Sequence, residues 1–249
     1  MSIDKKKLTD LIEENYVYAS VLFYFGIEFY EYSEQTLEEV CLEKGMDLQT
    51  MRKALEQVNN KGEEHDLKLI SYPIDLIIEY LRHSHYLFIK RQLPFLANLI
   101  NTIETPHPNY VQIVKDLKLI FPVFVEDFIH HIYEEEDTLF TYINTLHYAI
   151  KKKYRHGELH YTMEKNTIQK FAIEHEVHDD EMLGIRHIVN EYECDERTPQ
   201  NIKVLFAAMQ KFEKDLIVHA KIENEVLFPK AMMLEKEIKK MMREKIALN

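Results

Sequence analysis

His131-Ile-Tyr-Glu-Glu-Glu-Asp-Thr-Leu-Phe140 and His219-Ala-Lys-Ile-Glu-Asn-Glu-Val-Leu-Phe228 carry one pattern twice, His-x3-Glu-x3-Leu-Phe. Residues four apart share one face of a helix, a turn apart. Each copy therefore presents an imidazole and a carboxylate together. The apolar neighbours say which face that is. Phe124 and Phe128 precede His131, and Leu139 follows; Phe212 and Leu216 precede His219, and Leu227 follows. Each His/Glu pair thus interrupts a stripe that faces a core. A carboxylate buried there without a counter-charge is costly. No Lys or Arg occupies the neighbouring stripe positions. A bound cation would resolve the cost.

Two other segments add nitrogen ligands to the same interior. Ile168, Phe171, His175, His178, Met182, Ile185, Val189 and Tyr192 form a seam at spacings of three and four. His178 reads as a ligand, a gate or a hydrogen-bond partner of a ligand. Earlier, Ile77, Ile78, Leu81, His85 and Phe88 make an apolar face with one histidine on it. His83 is the alternative to His85. A nitrogen-rich set with two carboxylates suits iron, and manganese or zinc less well. A Glu from each of two helices can bridge two ions and leave the histidines as terminal ligands.

These motifs sit on four long segments. The first starts near Pro73 and runs past Leu99, the second covers about 109–153, the third about 163–192 and the fourth about 200–240. Pro94 and Pro122 are expected to kink or break their helices. Short connections around 105–108 and 195–199 predict an all-α protein, an antiparallel four-helix bundle over 70–249. Residues 1–62 read as a small helical domain, with Leu8, Leu11 and Ile12 on one stripe, Thr36 and Asp47 as helix caps, and a polar linker over 59–66.

Composition narrows the rest. The 249 residues include 31 basic and 43 acidic side chains, a formal net charge of -12, which argues against a nucleic-acid surface. Two distant cysteines, Cys41 and Cys194, exclude a disulfide scaffold and a Cys-rich zinc site. Five glycines are too few for a turn-rich β protein. Met1 to Leu8 is polar and lysine-rich, and no apolar run approaches the roughly 20 residues that span a bilayer. The expectation is a soluble cytoplasmic protein with no membrane partner.

At these residues the chain resembles the hemerythrin-like superfamily and, within it, the RIC (repair of iron centres, ScdA-type) di-iron proteins. His219-Ala-Lys-Ile-Glu223-Asn-Glu-Val-Leu-Phe-Pro229 is similar to that family's last motif, and Glu174-His175 to its third. Ala19-Ser-Val-Leu-Phe23 and Gln35-Thr36-Leu37 resemble its small N-terminal domain. That domain carries a Cys-Cys pair where this chain has Tyr30-Glu31. The resemblance implies two non-haem irons, with room for a bridging oxo group, held by His85, His131, Glu135, His175, His178, His219 and Glu223. It implies repair or protection of iron centres under nitrosative or oxidative stress, with iron-sulfur proteins as clients. The alternative is an oxygen- or nitric-oxide-binding or sensing module without turnover. A third class is a bundle holding zinc or no metal. Of the remaining residues, His107, His147, His156, His160 and His187 read as surface, His130 as solvent or a partner of a ligand, and Glu134 and Glu136 as solvated helix charge.

Overall fold

The computed structural model describes residues 3–15, 17–27, 29–32, 34–59, 72–105, 107–151, 156–176 and 181–247. Among them there is no β-strand, only an isolated antiparallel bridge between Lys7 and Thr36. The protein is all-α: long helices packed together, led by shorter ones. The short helices are α1 (Leu8–Glu14), α2 (Val17–Tyr24), α3 (Leu37–Glu43) and α4 (Leu48–Asn59). Three long runs follow, α5 (74–102), α6 (108–150) and α10 (200–247). Between the last two lie α7 (His156–Lys165), α8 (Ile168–Glu176) and α9 (Leu183–Ile188).

The caps expected from sequence are present. Thr36 and Glu39 form a reciprocal capping box at the start of α3. Asp47 accepts from the Thr50 amide at 2.9 Å to open α4. Gly45 follows α3 at φ +65°, where a side chain would be strained, and the Met46 amide returns to the Cys41 carbonyl.

Two expectations need correction. Pro122 does not end its helix, which runs unbroken from Pro108 to Glu135. The third segment is not one helix. It breaks at Asn166-Thr167, where Thr167 Oγ1 accepts from the Lys170 amide and starts α8. It ends at Asn190, Glu191 and Tyr192, all left-handed with φ of 51°, 55° and 62°. A regular helix cannot pass three such residues.

Each long run contains one π-helical turn: Phe88–Gln92, Glu136–Phe140 and Glu223–Leu227. The local chemistry favours them. Proline rings clash with the carbonyl four residues back, and for Pro94 and Pro229 those residues, Lys90 and Glu225, lie inside the wide turns. In the second turn, Thr138 and Thr141 hydroxyls donate to the Glu134 and Glu136 carbonyls. The wide turns also serve the pattern. Positions 219, 223, 227 and 231 are four apart, and a regular α-helix would rotate each step about 40° off the face. The extra residue brings Leu227 and Ala231 back to full burial.

The chain divides into two compact units. The first comprises 1–66, 88–123 and 183–213. In it α2 packs against the second half of α5, with Phe23 and Phe95 ring centroids 5.1 Å apart. The Gln200 side chain also donates to the Thr9 carbonyl. The second comprises 67–87, 124–182 and 214–249 and contains the described residues of the expected metal site. Its core joins Ile77 and Leu81 of α5, Phe140, Ile143 and Leu146 of α6, Ile168 of α8, and Leu227 and Phe228 of α10. Burying each such side chain contributes about 1.5–3 kcal/mol. That apolar frame is what holds the polar cluster in place.

Candidate metal centre

Four of the seven expected ligands meet. His85, Glu135, His219 and Glu223 are all buried, and one donor atom from each lies within 4.8 Å of the others. His85 Nε2 is 3.1 Å from His219 Nε2 and 3.3 Å from Glu135 Oε2. His219 Nε2 is 3.2 Å from Glu223 Oε1. Of the two early histidines, His85 is buried in the cluster and His83 is exposed.

His131 sits at the edge of this cluster. Its side chain is 32% exposed, and its Nε2 lies 3.8 Å from Glu181 Oε1. The side chain of His175 and the whole of His178 lie outside the described residues. His130, His160 and His187 are exposed, as expected.

The electrostatics favour a bound cation. Burial, then His219, push the His85 imidazole down to about 3, against the pull of Glu223. Burial holds the Glu135 carboxyl well above the usual carboxylate range, and Glu223, Glu181 and Glu136 add to it. Among the described residues no donor reaches Glu135 Oε1. A divalent ion would favour neutral imidazoles and ionised carboxylates together. The spacing fits too. Two nitrogens 3.1 Å apart are separated as two ligands of one first-row ion would be at bond lengths of about 2.0–2.1 Å. Two imidazoles and two carboxylates are a donor set such ions accept.

Three residues of the site escaped the sequence reading. Glu136 is not solvated helix charge: its Oε1 lies 2.8 Å from His85 Nδ1, at hydrogen-bond distance. Arg82 stands beside it, its guanidinium 6.0 Å from the Phe140 ring centre and its charge opposing the upward push of burial on the Glu136 carboxyl. Glu181 faces both His131 and Glu135. In sequence Glu134, Glu135 and Glu136 are three like residues in a row, and only the stripe phase singles out the middle one. Glu181 lies in a turn, one residue before Met182; helical periodicity carries no signal there.

No family model matches the chain. It is similar to the iron-sulfur cluster repair protein YtfE of Enterobacter sp., 24% identical over 220 residues, covering 86% of this chain and 91% of that one. The probable iron-sulfur cluster repair protein of Haemophilus influenzae is 23% identical over 241 residues, 93% of this chain and 99% of that one. YtfE of Escherichia coli O157:H7 is 23% identical over 215 residues, 86% and 91%.

Proposed function

We propose that this chain, a distant homologue of the iron-sulfur cluster repair proteins, holds two irons in its buried His/Glu cluster and acts in repair or protection of iron centres under nitrosative or oxidative stress. The observation that carries the reading is the convergence of His85, Glu135, His219 and Glu223 within 4.8 Å inside an apolar core. In this reading Glu135 and Glu223, one from each repeat, would hold the ions together with His85, His131, His175, His178 and His219. Iron bound there supplies one-electron redox chemistry and open coordination positions suited to oxygen or nitric oxide. The protein's own groups do the rest. Phe140 stacks on His85 at 5.6 Å, nearly parallel, and holds the ring plane. Leu139 and Leu227, both buried, close the apolar side against water. Glu181 lies at the more exposed edge beside His131.

Tyr30-Glu31 stand where the resembled small domain has a Cys-Cys pair. A phenol and a carboxylate cannot undertake disulfide exchange. Residues 1–62 accordingly act by packing or by docking a partner. The same substitution favours a second reading, a gas-binding module without turnover.

Full-length protein from iron-replete medium should carry about two irons per chain, the occupancy of a two-metal site. It should restore activity to an iron-sulfur enzyme damaged by nitric oxide. Zinc alone rejects the di-iron reading. Iron with reversible oxygen or nitric-oxide spectra, and no restoration, selects the gas-binding module.

A further inference from the structure

We propose that Glu136 is a positioning residue for the cluster: its carboxylate fixes the tautomer and orientation of His85, so that Nε2 presents its lone pair inward. Its consequence for metal rests on the reading of the cluster given above; its geometry does not.

A neutral imidazole has one N–H and one lone pair, and an ionised carboxylate only accepts. Glu136 Oε1 lies 2.8 Å from His85 Nδ1, which places the proton on Nδ1. Nε2 is then the bare nitrogen, and it is the one that faces Glu135 at 3.3 Å and His219 at 3.1 Å. With the opposite tautomer, the atom nearest the other donors would carry a proton and could not ligate. Consecutive residues of one helix thus stand at the two edges of the ring: Glu136 holds Nδ1 by a hydrogen bond, and Glu135 Oε2 lies 3.3 Å from the bare Nε2 as a fellow donor toward a cation. Successive side chains of an α-helix diverge by about 100°, which suits opposite edges of a ring. The π-helical turn begins at Glu136, so this divergence is set where the helix widens. Phe140, at the end of the same turn, stacks on the ring with an interplanar angle of 4°. Arg82, one helical turn before Ser84-His85-Tyr86 ends, lies over Phe140 and beside Glu136, completing a bracket of carboxylate, aromatic face and guanidinium. Glu134, on the other side of Glu135, is exposed and has no part in it.

Such outer partners typically change metal affinity 10–100-fold when removed. The test uses full-length, metal-free protein with 15N-labelled histidine, His85 being assigned by the signal lost in His85→Gln. Long-range 1H–15N spectra should show His85 protonated at Nδ1 in the parent. In Glu136→Gln and Glu136→Ala the population should move toward the Nε2–H form, while Glu134→Ala leaves it alone. Ferrous-ion affinity, measured by competition with a chromophoric chelator, should fall about 10–100-fold in both Glu136 variants. Glu136→Asp should recover part of both effects. Glu136→Gln is isosteric, and unchanged far-ultraviolet circular dichroism confirms its fold. An unchanged His85 tautomer in both variants overturns the proposal. If ferrous ion binds neither parent nor variant, the metal reading fails, and the tautomer result still decides the role of Glu136.

Discussion

The two copies of His-x3-Glu-x3-Leu-Phe match in sequence and differ in outcome. Their carboxylates agree: Glu135 and Glu223 are both buried, as are Leu139, Phe140, Leu227 and Phe228 behind them. Each copy widens into a π-helical turn at or just after its glutamate. The histidines diverge. His219 is buried against His85 and its own Glu223. His131 stays 32% exposed, with Glu181 at 3.8 Å. The motif thus secures the carboxylate and the apolar pair, because both lie on the face the stripe buries. What surrounds the histidine depends on the segment packed against it. For His219 that is the helix carrying His85; for His131 the described neighbours include the Glu181 carboxylate.

The sharpest way to break the symmetry of the carboxylates is to remove them one at a time. Glu223→Ala and Glu135→Ala should each lower ferrous affinity by more than about 100-fold, beyond the range typical of outer partners. Each should also abolish the rise in Tm that iron confers on the folded chain. Elemental analysis and thermal scans with and without iron check this. A Glu135→Ala protein with full iron would end the idea that both repeats serve one centre.

The histidines should separate where the carboxylates do not. His219→Ala is expected to cost about 100-fold in ferrous affinity and His131→Ala about tenfold, in keeping with their burial. Equal losses would mean that the exposed edge closes when metal binds.

Without metal, the buried carboxylate becomes a liability. The Glu135 carboxyl is held above its ordinary value of 4.5, chiefly by burial and then by Glu223. A group raised in the folded state contributes stability below its unfolded value and loses it as pH rises through the folded one. Glu135→Gln should therefore stabilise the metal-free chain at pH 7 by roughly 1 kcal/mol, about 2–4 °C in Tm. The gain should vanish in acid. His85 works in the other direction. Its pKa falls from 6.5 to about 3 on folding, so the metal-free chain loses stability as pH drops from 6.5 toward 3. Thermal scans of metal-free protein across that range measure both.

The smallest effects should come from the exposed charges flanking each pair. Glu134→Ala and Glu225→Ala are expected to stay within about 0.5 kcal/mol of the parent and to leave iron content unchanged. A metal defect in either would show that the stripe phase assigns the wrong face.

Much of this site was legible from spacing. The apolar residues at three and four around His85, His131, Glu135, His219 and Glu223 identified the buried face, and the structure buries four of those five side chains. The caps at Thr36 and Asp47 were legible because side-chain oxygens at a helix start have one dominant use. The third segment was not. Its seam at 168, 171, 175, 178, 182, 185, 189 and 192 has helical spacing, yet α8 ends at Glu176, Glu181 and Met182 lie in a turn, and residues 190–192 are left-handed. A seam can be continuous in pattern where the backbone is not, because helical spacing of apolar residues does not itself keep the chain helical.

The sequence by itself determined the all-α class, the buried faces of the long helices and the pairing of each imidazole with a carboxylate one turn away. These follow from helical periodicity and from the cost of burying polar groups, both of which are properties of the chain. Only the tertiary structure decided that His85, His219, Glu135 and Glu223 converge, that Glu136 rather than Glu134 meets the His85 ring, and that Glu181 faces His131. Those depend on which segment lies opposite and at what distance. A hydrogen bond 2.8 Å long between residues 51 apart in sequence is set by packing, and no local pattern encodes it.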